Sequence, residues 1–541
     1  MMASIIEKRP NEDALAQPKK TKQPKRISRK YKSKKKAIDP TSPQGVLEFE
    51  IDDLLKEHNL TREDVRNDMK PILNDPTYES KIHRTQSDVK ILKFTSNGDS
   101  LAMVENPIDS TKKQILLIPF GMPDDIVTVK IWKSHPLYSE CDLISVDQPN
   151  EKRDESLINC RYFGLCSGCQ FQNISYIDQL EIKRDTIVNA FKFFAPNLTI
   201  PEISKTQESP LQYNYRTKLT PHFTLTRHQT GKDLSEKPNV GFGCKGKPKF
   251  RYPDYDFPKD GILDIEECSI GTEIINKGMD NEQKLLEKTY KNYERGATIL
   301  LREDTKVKDE NFVLGNGSKD PEGNISNIEV QIDDQNLVKT CVTNTRQIVQ
   351  EIIEGYKFEF SAGEFFQNNN SILPIVTRYV RDNLFANVNE ENYLVDAYCG
   401  SGLFSITCSP KVLKAIGVEI SADSVKFAKR NAELNNLKNT KFMTGKAEEI
   451  FKNIETPNDK TSIILDPPRK GCDELFLKQL SDYKPVKIVY ISCNVHSQAR
   501  DLNWFINESE NGKDYKIESI KGFDFFPQTH HVESVAVLSL K

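Results

Sequence analysis

Two residues near the C-terminal end of the sequence have side chains suited to covalent catalysis. Cys493 directly follows the apolar run VKIVYIS, and Glu533 begins the final run ESVAVLSL. A cysteine thiolate can add to an electron-poor carbon, and a carboxylate can then accept a proton from the adduct. A lone cysteine after a strand is more often a small buried hydrophobic residue, so this prediction depends on the residues that accompany Cys493.

A second group of residues has the pattern of a nucleotide-binding turn. Residues 393–402, YLVDAYCGSG, predict a strand that runs into a glycine turn, and Glu419 ends the next predicted strand. A carboxylate at that position can accept hydrogen bonds from both hydroxyls of an adenosine ribose. A dinucleotide fingerprint would have Gly or Ala where Ser405 stands, so the pattern favours S-adenosylmethionine over a nicotinamide or flavin.

Two further strand ends should meet this turn. Asp466-Pro-Pro follows the apolar run SIIL, and Cys493 follows the next run. The carboxyl ends of parallel strands share the edge of a sheet where such folds bind ligands. If the last strand is antiparallel to them, Glu533 at its start lies at the same edge.

A thiol and a carboxylate beside a methyl donor suit methylation of uracil at C5. Addition of the Cys493 thiolate at C6 creates an enolate that can take the methyl group. Glu533 can then remove the C5 proton, which allows the thiol to leave.

Another cysteine group has C-x5-C-x2-C spacing, formed by Cys160, Cys166 and Cys169. Three thiolates in one loop suit an iron–sulfur cluster completed by a distant fourth cysteine. Zinc is the main alternative, and unliganded thiols in a tight turn remain a further interpretation. The eleven cysteines are an odd number in a chain that begins without a secretory signal, so we do not expect a disulfide framework.

The patterns along the chain predict an α/β protein with several parts. The alternation of strands and helices in 346–541 predicts a mostly parallel sheet with helices on both faces, and five short β-rich runs predict an OB-like barrel. The predicted parts are a disordered basic tail (1–45), a helical linker (46–84), the barrel (85–150), a central α+β domain with the cysteine group (151–345) and a methyltransferase domain (346–541).

The composition allows a nucleic-acid partner and argues against a membrane protein. The 541 residues carry 76 Lys and Arg against 79 Asp and Glu, yet eleven Lys and Arg and no acid lie between Lys19 and Lys36. This run could be a nuclear address, a phosphate-binding arm or a solvated tail. We expect an intracellular protein of the nucleus or cytoplasm, and the sequence leaves a mitochondrial location open.

Several motifs resemble those of the RNA uracil-5-methyltransferase family across most of residues 85–541. They are LVDAYCGSGLFSI, GVEIS, LDPPRKGC, YISCN, FPQTHHVE and the segment FFQNN (365–369). The resemblance implies a class I, Rossmann-like methyltransferase domain, an RNA-binding TRAM barrel, and a tRNA substrate methylated to 5-methyluridine at uridine 54. The roles that it implies are nucleophile for Cys493, proton acceptor for Glu533, methyl-donor binding for Gln367, Tyr398, Glu419 and Asp466, and fourth cluster ligand for Cys268, with Cys244 as its competitor.

The sequence leaves other functions open to different degrees. A ribosomal RNA substrate fits the same motifs. A cytosine-5 RNA methyltransferase would have a cysteine, and an amino-methyltransferase an aromatic residue, where Arg469 follows Asp466-Pro-Pro. A non-catalytic RNA chaperone would need the barrel and tail but not Cys493.

Two weaker signals concern RNA contacts. Tyr215, Arg216 and Lys218 could stack on bases and contact phosphates, or could simply form an exposed strand face. His530 and His531 could contact a base, orient Glu533 or be ordinary loop residues.

Overall fold

The computed structural model describes residues 38–541 except 227, 255–256, 259, 333–334, 386–390, 447–449 and 452–453. The basic run from Lys19 to Lys36 lies outside the described residues. From residue 38 onward, four helices precede the first described strand: α1 (Pro43–Glu57), α2 (Arg62–Val65), α3 (Met69–Asn74) and α4 (Pro76–Ile82). Helix α1 begins inside the predicted tail, because Ser42 caps it by accepting a hydrogen bond from the Gly45 backbone N–H and Pro43 suits a first helical turn.

Five strands form a closed barrel in the order β1-β2-β3-β5-β4, with β1 paired to β4. They are β1 (Thr85–Phe94), β2 (Asp99–Glu105), β3 (Lys113–Pro119), β4 (Ile126–Ser134) and β5 (Ser139–Gln148). Alternate residues of these strands, such as Val127, Val129 and Ile131, point into one apolar core and are fully buried. The predicted OB-like barrel is confirmed.

The middle of the chain forms smaller sheets and two long helices. Its elements are α5 (Tyr176–Phe194), β6 (Ser204–Gln207), β7 (Lys218–Leu219), β8 (His222–Phe223), α6 (Glu273–Thr289), β9 (Ala297–Thr298), β10 (Leu301–Val307), β11 (Asn327–Ile332), β12 (Gln335–Val342), β13 (Ile348–Ile353) and β14 (Tyr356–Ser361). Strands β11, β12, β10 and β7 form one antiparallel sheet, while β8–β9 and β13–β14 are separate pairs.

The C-terminal part folds around an eight-stranded sheet in the order β17-β16-β15-β18-β19-β21-β20-β6. Its further elements are α7 (Leu373–Phe385), β15 (Tyr393–Ala397), α8 (Leu403–Cys408), β16 (Lys414–Glu419), α9 (Ala422–Leu434), β17 (Thr440–Thr444), β18 (Thr461–Leu465), α10 (Glu474–Tyr483), β19 (Lys487–Ser492), α11 (Val495–Glu508), β20 (Tyr515–Phe523) and β21 (Glu533–Leu540). Strands β15 to β19 are parallel, and β21 runs antiparallel between β19 and β20. This confirms the predicted class I methyltransferase sheet and its antiparallel last strand.

The two faces of this sheet bury separate apolar cores. Neighbouring residues of one strand alternate between them, so that Ile463 joins one core and Ile464 the other. Helix α5 packs against α11, and β6 adds a strand at the edge beside β20. The sheet therefore includes chain from outside 346–541, and the predicted domain boundaries stay predictions.

Within the described residues, no helix is both long and apolar enough to cross a membrane.

Candidate active site

A cavity of about 690 Å³ opens at the carboxyl edge of the parallel strands. Six residues that the sequence analysis selected line it: Gln367, Tyr398, Glu419, Asp466, Cys493 and Glu533. They come from five different strand ends and the segment before α7. The fold therefore brings together residues that are up to 166 positions apart, from Gln367 to Glu533.

The turn after β15 shapes one end of the cavity. Tyr398, Gly400 and Gly402 all have positive φ angles, of 68°, 53° and 94°. This conformation aims the Gly400 N–H at Glu419 Oε2, 3.2 Å away, while the Ser421 N–H donates to Oε1 at 2.9 Å. Each carboxylate oxygen keeps acceptor capacity, so Glu419 can accept further hydrogen bonds from a ligand in the cavity.

Asp396 supports this turn from within the fold and was missed by the sequence analysis. Its Oδ2 accepts hydrogen bonds from the Ser405 N–H at 2.9 Å and the Ser405 hydroxyl at 2.6 Å. Burial nevertheless raises the pKa of Asp396 to about 7. The hydroxyl explains why serine stands where a dinucleotide fingerprint has Gly or Ala. An acid at a strand end, nine residues before a serine, is the signal that could have found this pair.

Gln367 is positioned by contacts of its neighbours in the chain. Phe366 stacks on Phe360 of β14 with ring centroids 4.4 Å apart, and Arg302 donates to Asn368 Oδ1 at 3.0 Å. These contacts hold the segment before α7 against the cavity, where Gln367 is almost fully buried.

The register of two strands places the thiol beside the carboxylate. Ser492 of β19 pairs with Ser534 of β21, so Cys493 and Glu533 are the next facing residues at the end of this antiparallel pair. Both side chains line the cavity together with Asp466. The predicted nucleophile and the predicted proton acceptor thus line the same cavity as the predicted methyl-donor residues.

The surroundings of Cys493 and Glu533 disfavour the ionised forms of both side chains. Burial, followed by the charge of Asp466, raises the pKa of Glu533 to about 8. Burial and the carboxylates of Glu533 and Asp466 raise the pKa of Cys493 to about 11, and a hydrogen bond and positive charge from Arg469 act in the other direction. The position of Arg469 therefore favours the thiolate form of Cys493, an effect that sequence reasoning did not assign to it.

Comparison with known proteins identifies the family. A curated Saccharomyces cerevisiae protein, tRNA (uracil(54)-C(5))-methyltransferase, is 54% identical over 540 residues, covering 96% of this chain and 84% of the relative. The chain belongs to the tRNA (uracil-5-)-methyltransferase family. It is an enzyme, an S-adenosylmethionine-dependent methyltransferase.

Other comparisons agree with this assignment. The tRNA (uracil-5-)-methyltransferase family model matches residues 327–541. A Schizosaccharomyces pombe tRNA (uracil(54)-C(5))-methyltransferase is 40% identical, covering 93% of this chain and 85% of the relative. The crystal structure of Pyrococcus abyssi tRNA (uracil-54, C5)-methyltransferase with S-adenosyl-L-homocysteine shares the fold, with a TM-score of 0.54, 21% identity and coverage of 84% of this chain and 100% of that one.

The buried carboxyl of Glu533 predicts a pH-dependent stability of this methyltransferase. Its pKa is raised from 4.5 to about 8. The contribution of this carboxyl to the free energy of unfolding is therefore fully present below pH 4.5 and is lost as the pH rises through 8. Glu533→Gln cannot ionise, and we expect its melting temperature relative to wild type to rise by about 2 °C or more between pH 5 and pH 9. Calorimetry of both proteins at pH 5 and pH 9 measures this difference in melting temperature. A difference that is the same at both pH values contradicts the prediction.

The second cysteine group lines a separate cavity of about 280 Å³. Its walls include the four predicted ligands Cys160, Cys166, Cys169 and Cys268, but not Cys244. Burial and the charges of Cys268, Cys160 and Cys244 raise the pKa of Cys166 to about 12, and burial and the charges of Cys268, Cys166 and Cys160 raise that of Cys169. Within the described residues, however, no three metal-ligating side chains adopt the geometry of a metal site.

A basic and aromatic surface of the methyltransferase lies where β4 meets the segment 247–250. The Lys133 and Lys247 ammonium groups lie 5.6 and 5.5 Å from the Trp132 ring centroid, and those of Lys130 and Lys249 lie 6.0 and 5.4 Å from that of Phe250. We call these six residues the lysine–aromatic surface. Sequence reasoning missed it because its two halves are more than a hundred residues apart.

The weaker sequence signals have structural explanations. Tyr215 is only 2% exposed and donates its hydroxyl to the Pro527 carbonyl at 3.0 Å, so it offers no stacking face to RNA. Burial lowers the pKa of His530 to about 4 and that of His531 to about 3, so both are neutral at physiological pH. His530 Nδ1 lies 3.0 Å from Gln170 Oε1, a contact that holds the loop before Glu533.

Proposed function

We propose that this methyltransferase converts uridine 54 of tRNA to 5-methyluridine through a covalent bond between Cys493 and C6 of the base. The observation that carries the proposal is the position of Cys493 opposite Glu533, one residue beyond the last pair of β19 and β21, with both side chains in the cavity that Glu419 also lines. The position in tRNA is supported by the two yeast relatives, whose activity on uracil 54 is part of their names.

The reaction needs the target base outside its stack, which costs a few kcal/mol but exposes C6 to the thiol. S-adenosylmethionine supplies an electrophilic methyl group when it is bound. The Cys493 thiolate forms a bond to C6, and the electron pair of the C5=C6 bond then forms the new C5–methyl bond as the sulfonium takes back its own bonding pair. Glu533 accepts the C5 proton, the C5=C6 bond returns, and the thiolate leaves with its electrons.

The other residues that line the cavity have separate proposed roles. We propose that Gln367, Tyr398, Glu419 and Asp466 bind the methyl donor, because they line the cavity around the glycine turn. Arg469 favours the thiolate form of Cys493. Since Cys493 has a raised pKa in the free protein, we expect substrate binding to lower this pKa before attack.

The lysine–aromatic surface supports tRNA as the partner. Exposed loop bases can stack on aromatic rings such as Trp132, while lysine ammonium groups contact the neighbouring phosphates. A nuclear or cytoplasmic location remains our proposal and is supported by the basic run between Lys19 and Lys36.

The proposal is tested by mapping the modified nucleotide. Full-length protein is incubated with labelled methyl donor and either tRNA or ribosomal RNA that lacks 5-methyluridine. We expect label only in tRNA, at uridine 54, and none in a tRNA carrying cytidine at that position. Label confined to ribosomal RNA contradicts the tRNA assignment, and label on cytosine contradicts the uracil chemistry.

We propose in addition that Cys160, Cys166, Cys169 and Cys268 hold a 4Fe–4S cluster. Four thiolates are the usual donor set for this cluster, and all four residues line the same cavity. The cluster would join the loop 160–169 to the segment before α6, and zinc is the alternative because it accepts the same donors.

Metal analysis of anaerobically purified protein tests the cluster proposal. We expect a brown protein with about four iron atoms per chain, and loss of the iron in Cys268→Ser. Cys244→Ser is the matched control and should keep it, since Cys244 does not line the cavity. A colourless, iron-free wild-type protein contradicts the proposal. One zinc ion per chain in that protein would show a zinc site instead.

A further inference from the structure

A second cavity, of about 440 Å³, also reaches Cys493. It shares Cys493, Arg469 and Lys470 with the methyl-donor cavity, but its other walls are different. Because the uracil is bonded to Cys493 while its C5 takes the methyl group, the base and the methyl donor must lie side by side at this thiol, and two cavities that meet at Cys493 provide one space for each. The volume is within the range of small-ligand sites.

One wall of this cavity comes from the N-terminal segment before the barrel. The residues of that wall are Asp39, Thr41, Ser42, Pro43 and Val46. The remaining walls come from the β1–β2 turn, the start of α11 and the loop before β21, through Ser96, Asn97, His496 and His530.

Asn494 attaches this wall to the catalytic loops. Its Nδ2 donates to the Thr41 carbonyl at 3.1 Å and to the Arg469 carbonyl at 2.9 Å. Thr41 is 2% exposed, so the segment is packed at this point. The residue that follows the nucleophile therefore fixes both the segment from the N-terminus and the loop that carries Arg469.

The barrel holds the same segment from its other side. Asn97 Nδ2 donates to the Pro43 carbonyl at 3.1 Å. The buried Glu50 carboxylate of α1 accepts hydrogen bonds from the Ser96 N–H at 2.7 Å and the Ser96 hydroxyl at 2.6 Å. These contacts fix the distance between the barrel and the wall.

Helix α1 is anchored to the rest of the fold as well. The Phe49 ring lies 4.8 Å from that of Phe194 at the end of α5. Asp53 forms ion pairs with Lys93 of the barrel and Lys192 of α5. The segment that forms the wall is thus in contact with the residue before α11, with the barrel and, through α1, with α5.

We infer that this second cavity receives the extruded target uracil, and that the segment Asp39–Val46 forms part of the uracil site. The inference deepens the proposed function and depends on it. The Asn97 and His530 side chains supply polar groups of the kind that recognise the edge of a uracil ring, whereas the Ser42 hydroxyl is used within the segment, where it donates to the Asp39 carbonyl and accepts from the Gly45 N–H. A segment that precedes the barrel in the sequence therefore determines how RNA is positioned at Cys493.

Bulky substitutions on two walls test the inference. Ser42→Trp fills the cavity from the segment before α1 and Asn97→Trp from the barrel. Ser42→Ala removes the same α1 cap without filling the cavity, and Lys56→Trp adds the same ring to an exposed position of α1, so these two variants are the matched controls. We expect kcat/KM for tRNA, and the rate of covalent trapping by 5-fluorouridine tRNA, to fall at least about tenfold in the first two variants. Their affinity for S-adenosylmethionine and the activity of both controls should stay at wild-type values.

The outcomes separate this inference from the proposed function. If wild-type protein forms no adduct with 5-fluorouridine tRNA, the proposed function is wrong, and the inference with it. If the adduct forms and either cavity-filling variant traps tRNA at the wild-type rate, only the inference is wrong. The inference is also wrong if the two variants lose affinity for S-adenosylmethionine by the same factor as they lose tRNA trapping. The wall would then support the methyl-donor cavity.

A truncation distinguishes the wall from the basic run in front of it. Removing residues 1–37 leaves every residue of the wall in place. We expect kcat at saturating tRNA to be unchanged, since the uracil site is intact. A loss of kcat equal to that of Ser42→Trp overturns the inference, because the activity would then reside in the removed residues.

Discussion

Replacing Cys493 with alanine should reduce methylation of tRNA by roughly 10⁴-fold or more, because the reaction loses its covalent nucleophile. Without addition at C6 the uracil C5 is a poor nucleophile toward the methyl donor. The affinity for S-adenosylmethionine should stay the same, since most of its cavity is formed by the turn after β15 and by Glu419. Single-turnover methylation with labelled donor measures the first effect, and equilibrium binding measures the second.

Cys399→Ala is the matched control for this experiment. Cys399 lines the same cavity, but it belongs to the glycine turn after β15 and not to the β19–β21 pair. We expect it to retain methylation and to form a denaturation-stable adduct with 5-fluorouridine tRNA, whereas Cys493→Ala should form none. Full activity in Cys493→Ala would refute the covalent mechanism and favour an RNA chaperone, for which this thiol is dispensable.

Glu533→Gln should stop the reaction one step later and accumulate methylated protein–RNA adduct on ordinary tRNA. The amide cannot accept the C5 proton, so elimination of the Cys493 thiol is blocked after the methyl group has been transferred. Loss of a general base of this kind slows turnover by about 10² to 10⁴-fold. Denaturing gel electrophoresis with label in the methyl group shows the adduct directly.

Glu364→Gln provides a control carboxylate from the same cavity. It lies outside the β19–β21 pair, and no adduct should accumulate in this variant. In the wild-type protein, resolution of the adduct should become faster as the pH rises toward the raised pKa of Glu533, about 8, because only the carboxylate accepts a proton. A Glu533→Gln protein that turns over normally and leaves no adduct contradicts the proposed role.

The sequence by itself determined the residue types of the site and the class of the fold. Strand periodicity and glycine turns depend on local burial and backbone freedom, so they can be identified without a structure. The positions of Glu419, Asp466 and Cys493 at strand ends followed from this pattern. So did the barrel, whose alternating apolar residues fill its core.

The tertiary structure decided which of these residues meet. The Ser492–Ser534 register brings Cys493 against Glu533, and the position of β21 between β19 and β20 makes that register possible. Arg469 received a role only when its guanidinium was placed beside the thiol. Such contacts join segments distant in sequence, whose pairing is selected by packing rather than by local preference.

The N-terminal segment is the clearest case in which local sequence does not predict a long-range contact. In the sequence, α1 is an amphipathic helix that follows a basic run, and nothing in its pattern points toward a catalytic cysteine more than four hundred residues away. The structure places it beside Cys493 because its apolar face packs on the barrel and α5, while Asn494 holds the preceding loop. Local sequence determines that the helix forms, whereas the surfaces available to bury its apolar face determine where it lies.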